Sequence, residues 1–394
     1  METLINFIHW PECPLWRSAR NVLTIALAFT AISCRSDEEH IVHFDDGDQQ
    51  VVLSNLYPAI GETVTASCAT GSKVVGTINF GDGSGEQSIQ EGVNHVYEEA
   101  GNYVVTTSLH VADSVKVGRQ NVKVAQLALT RLMTRFSDPN YKDVLVMAHR
   151  ANTGNMAIPE NSISAVKAAI AAGCDFIECD PRLTKDGQVV VCHDENISRT
   201  TTGSGNISNL TLSQLQSYML KDRMGRPTNE VMPTLKQFLE AARGHVYVNL
   251  DYPTRTATSQ IVFDIVKECG MLEQVLFYVN TAEKAREILQ LCPTAHVYAW
   301  GAPDVYAPLK NIGRNSFVQF TLGSDNAAIV SARNDNMIVT DVVMDDTNGK
   351  TAEADLINGN SKTFDDLLGL GIRMFMTDSP YQVLGYLRAK GLHQ

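Results

Sequence analysis

From Lys142 to Gln394, short runs rich in β-branched and aromatic residues alternate with stretches of helical period. Candidate strands are Val144–His149, Phe176–Pro181, Val189–Cys192, Val246–Asp251, Val275–Val279, His296–Ala299, Phe317–Phe320, Met337–Met344 and Met374–Thr377. Helical stretches such as Ser162–Ala172, Thr234–Ala242, Ala282–Leu291 and Tyr381–Lys390 lie between them. Parallel strands need long crossovers, and this rhythm at this length predicts a TIM (β/α)8 barrel. Nine strand candidates compete for eight places, and the surplus is expected at Phe317–Phe320 or Met337–Met344.

The first part of the chain has a different rhythm. Val51-Val52-Leu53, Thr63-Val64-Thr65, Thr77-Ile78-Asn79-Phe80, Tyr103-Val104-Val105 and Val122-Lys123-Val124 are short alternating runs separated by turn residues. They predict an all-β sandwich with immunoglobulin-like architecture. Before it, Arg17 and Arg20 precede the apolar run Val22–Ile32, too short to span a bilayer and suited to a signal-peptide core. The expected organisation is a signal segment at 1–34, the sandwich with an acidic tether at 35–127, a linker at 128–141 and the barrel at 142–394. A chain of 394 residues has room for both folded units, and 44% hydrophobic with 19% charged residues is globular composition. The net charge of −12 makes the chain a poor general binder of nucleic-acid backbones but leaves room for a phosphate substrate held by local cations. None of the eight cysteines forms a CxxC pair, so a zinc or redox motif is unsupported. Cys179 and Cys192 are expected to point away from the barrel mouth, into the layer between strands and helices.

Five short pieces fall at the C-terminal ends of predicted strands, where barrel enzymes place their chemistry. Ala148-His149-Arg150 ends the first, with a forked cation suited to phosphate oxygens and a ring that exchanges protons near neutrality. Ile177-Glu178-Cys179-Asp180 ends the second, and its two carboxylates, two residues apart, face one side. Such a pair repels itself unless a cation joins it, and oxygen donors favour Mg²⁺ or Ca²⁺. Val191-Cys192-His193-Asp194 ends the third. Asn249-Leu250-Asp251 ends the fourth and adds a third carboxylate. Met376-Thr377-Asp378-Ser379-Pro380 ends the last.

These pieces, together with Pro159-Glu160-Asn161-Ser162, Gly173-Cys174-Asp175, Leu183-Thr184-Lys185-Asp186-Gly187, Arg199-Thr200-Thr201, Met232-Pro233-Thr234-Leu235 and Gly371-Ile372, resemble the signature of the glycerophosphodiester phosphodiesterases. The resemblance implies that His149 and His193 form the acid–base pair and that Glu178, Asp180 and Asp251 hold a divalent ion. It places Glu160 and Asn161 at the border of the site and Arg150 on the phosphate. The implied reaction is hydrolysis of a glycerophosphodiester, or a related small or lipid head-group phosphodiester, to an alcohol and a phosphomonoester.

One departure stands out. The family's strand-four triplet E-x-K is Asp251-Tyr252-Pro253 here, so the lysine is lost. Phosphate neutralisation then falls to Arg150, the ion and Arg182, two residues beyond Asp180. A phospholipase C- or D-like enzyme forming a cyclic phosphate is the alternative reaction. A catalytically weak, ligand-binding surface lipoprotein is the alternative to an enzyme, and Pro253 is its support. Within the sandwich, Phe80-Gly81-Asp82-Gly83, His95-Val96-Tyr97 and Gly101-Asn102-Tyr103 resemble the polycystic-kidney-disease (PKD) repeat, a module expected to act as a spacer or to bind a carbohydrate or protein partner. Ala31-Ile32-Ser33-Cys34 resembles the lipobox of bacterial lipoproteins, which implies export and a lipid anchor at Cys34. The acidic stretch after it resembles the tethers of lipoproteins displayed at the cell surface.

Overall fold

The structure, a computed structural model, describes residues 41–42, 51–54, 56, 58, 60, 63–68, 75–89, 92–111, 114–124, 127–253, 255–310, 312, 316–344 and 352–393. The signal segment, Cys34 and the acidic tether lie outside these residues.

Among the described residues, eight strands build the N-terminal unit: β1 (Ile41–Val42), β2 (Val51–Leu53), β3 (Thr63–Cys68), β4 (Val75–Asn79), β5 (Glu86–Ser88), β6 (Val93–Val96), β7 (Gly101–Val111) and β8 (Ser114–Val124). They form two antiparallel four-stranded sheets, ordered β1-β2-β3-β6 and β5-β4-β7-β8. Alternate residues, among them Val51, Leu53, Val64, Ile78, Phe80, Val105 and Val122, close the core between them. Gly81 has φ +80° and a Cβ there would lie 2.6 Å from the Val104 carbonyl oxygen, so the turn requires glycine. Asp82 is used inside the turn. One carboxylate oxygen accepts from Ser84 N and Oγ, and the other is 2.8 Å from His95 Nε2.

Helix α1 (Leu129–Arg135) follows. This helix lies in the segment read as a linker. Leu129, Leu132 and Met133 pack against Leu145, Met147, Phe176, Tyr247, Tyr298 and Phe317, the side chains that fill the barrel interior. Its first turn is held by Glu273, whose backbone oxygen and carboxylate accept from the Leu129 and Thr130 N–H groups. The helix thereby plugs one mouth of the barrel with apolar surface that would otherwise face water.

The C-terminal unit opens with β9 (Leu145–Ala148), α2 (Ile163–Ala172) and β10 (Phe176–Cys179). A lobe then interrupts the rhythm with β11 (Pro181–Leu183), β12 (Val189–Val191), β13 (Met219–Lys221) and β14 (Pro227–Val231). The rhythm resumes with β15 (Tyr247–Leu250), β16 (Val275–Val279), β17 (His296–Trp300), β18 (Phe317–Thr321), β19 (Ile338–Val342) and β20 (Met374–Thr377). A closed parallel barrel runs β9-β10-β15-β16-β17-β18-β19-β20. The TIM-barrel expectation holds, but the surplus strand is not where the sequence suggested. Both Phe317–Thr321 and Ile338–Val342 are barrel staves, and the outsider is Val189–Val191. It pairs antiparallel with β11, Pro181 opposite Val191 and Leu183 opposite Val189. The five residues 184–188 between them are too few for a parallel crossover, and they close a turn in which Thr184 N donates to Gln188 O. Cys192 is corrected with it. Cys179 lies buried in the strand–helix layer as expected, whereas Cys192 packs with Val190, Ile197, Ile207, Leu215 and Met232 in the core of the lobe.

Candidate active site at the barrel mouth

Strand parity builds the mouth. Met147, Phe176, Tyr247, Phe317 and Met374 belong to the inner core, so the residues two and four further on face the same interior. Those residues are His149, Glu178 and Asp180, Asn249 and Asp251, Gln319 and Thr321, and Met376. They line one cleft of about 180 Å³ with His193, Tyr278, Val342 and Met344. Five of the nine residues singled out from the sequence therefore meet in one place: His149, Glu178, Asp180, His193 and Asp251. The other four stand behind it.

The turn after β9 is strained into shape. Arg150, Ala151 and Asn161 have φ of 52°, 54° and 56°, a left-handed conformation that costs a non-glycine residue about 1 kcal/mol each. The compensation is local. Arg150 N donates to Glu178 Oε2 at 2.8 Å, Asn161 N to Arg150 O at 2.9 Å, and Asn161 Nδ2 to Asp180 Oδ2 at 2.7 Å. Asn161 thus borders the cleft from behind, fixing one of its carboxylates.

Each histidine has one ring nitrogen held by a carboxylate, which orients the ring and leaves Nε2 for chemistry. His149 Nδ1 is 3.0 Å from Asp378 Oδ1, which also accepts from Asn152 Nδ2. Burial raises the Asp378 carboxyl, but the bond and charge of His149, with Asn152 and Arg223, outweigh it and hold the group at about 2. Asp378 N in turn donates to Glu353 Oε1, from the helix Ala352–Ile357. His193 Nδ1 is 2.8 Å from Asp194 Oδ1. Arg199, first by its hydrogen bonds, pulls the Asp194 carboxyl well below its usual range. Burial pushes the His193 ring below its ordinary 6.5, and the Asp194 bond only partly opposes this.

Arg199 also clasps Glu160 through two bonds of 2.7 and 2.9 Å, and Arg150 Nη1 joins the same carboxylate at 3.1 Å. The Arg150 guanidinium is therefore engaged by Glu160 and is absent from the cleft lining. Arg182 departs further from its expected place. Its Nε and Nη2 donate to the backbone carbonyls of Cys192 and His193, so it holds the His193 turn and does not face the cleft. The physical reason is the change of partner at Pro181. β11 leaves the barrel to pair with β12, so the alternation that places Glu178 and Asp180 inward stops before Arg182.

Glu178, Asp180 and Asp251 each bring one carboxylate oxygen within 4.8 Å of the others. Burial first, then the charges of Asp180 and Asp251, raises the Glu178 carboxyl well above its usual range. Asp251 is also raised, by burial and Asp180 against the pull of Arg255. Among the described residues, Asp251 Oδ1 and both side-chain amide atoms of Asn249 are buried without a hydrogen-bond partner. Orphaned oxygens beside converging, destabilised carboxylates are what a hard divalent cation would satisfy, so the donor set fits one.

Sequence reasoning missed Arg255, whose side chain is 7% exposed and pairs with Asp180 and Asp251. It lies in an aperiodic loop, and its distance from Asp251 was its only signal. It also passed over the orienting roles of Asp378 and Asp194, although both stood inside quoted motifs.

Known proteins agree with this architecture. The Glycerophosphoryl diester phosphodiesterase family matches residues 149–298 and the PKD domain matches residues 50–124. YhdW of Bacillus subtilis, assigned by name to the glycerophosphodiester phosphodiesterases, is 30% identical over 240 residues, 60% of this chain and 94% of its own length. A glycerophosphodiester phosphodiesterase of Caldanaerobacter subterraneus is 32% identical over 158 residues, 38% of this chain and 63% of that protein. Among solved structures, a glycerophosphoryl diester phosphodiesterase of Parabacteroides distasonis superposes with TM-score 0.59 at 20% identity, over 68% of this chain and 94% of that one. An Oleispira antarctica phosphodiesterase solved with the product sn-glycerol-3-phosphate gives TM-score 0.50 at 17% identity, over 62% and 96%. At these identities the superpositions speak for the barrel fold alone. The YhdW match spans nearly that whole relative, and with the family match over residues 149–298 it shows that this chain belongs to the glycerophosphodiester phosphodiesterase family, preceded by a PKD domain.

Proposed function

We propose that the barrel hydrolyses glycerophosphodiesters to an alcohol and glycerol 3-phosphate, with a divalent ion on Glu178, Asp180 and Asp251. The observation that carries this reading is the pair of carboxylate-oriented histidines flanking three converging carboxylates in one cleft. A divalent ion held there would neutralise charge on the phosphoryl oxygens. The chain's own groups do the rest. His193 is held neutral by burial and free at Nε2, so it takes the proton of the attacking water. His149 Nε2 delivers a proton to the leaving alkoxide. Asp378 stays ionised against His149 Nδ1, where it balances the charge of a proton-donating ring. Tyr278, Gln319 and Thr321 offer polar groups on the opposite wall for hydroxyls of the substrate.

The test is phosphorus NMR of glycerophosphocholine incubated with the purified chain and Mg²⁺ or Ca²⁺. A single new phosphomonoester resonance is expected. A lasting cyclic phosphate resonance would instead identify the phospholipase-like reaction, in which a substrate hydroxyl attacks. No product with any of several glycerophosphodiesters would leave a binding protein.

A further inference from the structure

Arg255 lies two residues after Pro253, in the loop that follows β15. Four hydrogen bonds hold its buried guanidinium. Nη2 donates to Asp180 Oδ1 and, at 2.9 Å, to Asp251 Oδ2. Nε donates to the Asp251 carbonyl at 2.7 Å and Nη1 to the His193 carbonyl at 3.2 Å. One side chain thus ties together the end of β10, the loop after β15 and the His193 turn. It leaves Asp251 Oδ1 without a partner among the described residues, and Glu178 accepts from the Arg150 N–H. The charge count is equally specific. With a divalent ion bound, the three carboxylates would be ionised and carry −3 and the guanidinium returns +1, so the ligand set would stand at −2, the complement of that ion.

We propose that Arg255 is a positioning residue that sets the charge of the cation site and anchors the His193 turn. This rests on the reading that Glu178, Asp180 and Asp251 hold a divalent ion. Two consequences pull in opposite directions. A fixed positive charge beside the carboxylates weakens their grip on a cation. The same guanidinium holds the His193 carbonyl, so losing it slows turnover.

The experiment compares wild type, Arg255→Met and Arg255→Lys after removal of bound ions with EDTA. Free Mn²⁺ is followed by electron paramagnetic resonance during titration, turnover is measured in parallel, and circular dichroism checks folding. Arg255→Met is expected to bind Mn²⁺ at least about tenfold more tightly than wild type while turning over at least about tenfold more slowly. A merely structural arginine would give weaker binding and slower turnover together. Arg255→Lys keeps the charge but not the fork, so its Mn²⁺ affinity should stay within about threefold of wild type. Equal or weaker Mn²⁺ binding by folded Arg255→Met overturns the proposal. If that variant does not fold, affinity lost by more than about tenfold in Arg255→Lys overturns it equally. In either case Mn²⁺ binding by wild type leaves the proposed function standing, whereas no binding by wild type overturns both.

Discussion

His193→Ala should lower kcat/KM for a glycerophosphodiester by about 10²–10⁴-fold while leaving the fold intact. The ring is 37% exposed and sits in a turn rather than in a core, so its removal opens no large cavity. The turn itself is held by Arg182 and Arg255 through the His193 carbonyl, which the substitution keeps. What is lost is the proton acceptor. Burial lowers the ring below 6.5, so it is largely neutral at pH 7 and protonates only as pH falls further. A base is inactive once protonated, so wild-type kcat/KM should fall through an acid limb lying below 6.5. A nearby divalent cation would push that limb lower still, in the same direction. Residual turnover of the variant should lack the limb. Undiminished turnover, or an unchanged acid limb, would remove His193 from the chemistry.

Glu178→Gln should act in opposite directions on activity and stability. Glu178 is 3% exposed, and its neighbours Asp180 and Asp251 raise its carboxyl further. In the absence of a cation this is stored repulsion, and glutamine removes it while keeping an oxygen for the Arg150 N–H. The melting temperature in EDTA is therefore expected to rise, by about 2–4 °C for each kcal/mol relieved in a domain of this size. Activity should fall at least about 100-fold at limiting Mg²⁺, because one of three anionic ligands has become neutral. Differential scanning calorimetry with EDTA and initial rates across a Mg²⁺ series read the two effects. A variant that melts lower in EDTA and keeps wild-type rates would deny both the repulsion and the cation.

The barrel was legible because strand parity is local. Phe176, Glu178 and Asp180 alternate inward whatever the rest of the chain does, and so do Tyr247, Asn249 and Asp251. The errors came where parity ends. Val189–Val191 is as apolar as a barrel stave, and only the short Thr184–Gln188 turn betrays its antiparallel hairpin. Arg182 was assigned to the cleft by counting across Pro181, where the chain changes partners. Arg255 has no periodic neighbours at all, and its burial between two carboxylates exists only in three dimensions. Likewise α1 has an apolar face whose partner, the barrel interior, is assembled from staves distant in sequence. The roles of Asp378 and Asp194 follow from a contact across 229 residues in one case and between neighbours in the other. Motif reading supplied the residues without the hydrogen bonds that give them work.

The dependence of turnover on a divalent ion at the three carboxylates is tested most directly by titrating EDTA-stripped protein with Mg²⁺ or Ca²⁺ while following release of glycerol 3-phosphate from glycerophosphocholine. The expected result is residual activity below about 1% in EDTA, restored along a saturating curve that corresponds to one ion per chain. Full turnover in EDTA, unchanged by added ions, would contradict a divalent-dependent site on Glu178, Asp180 and Asp251.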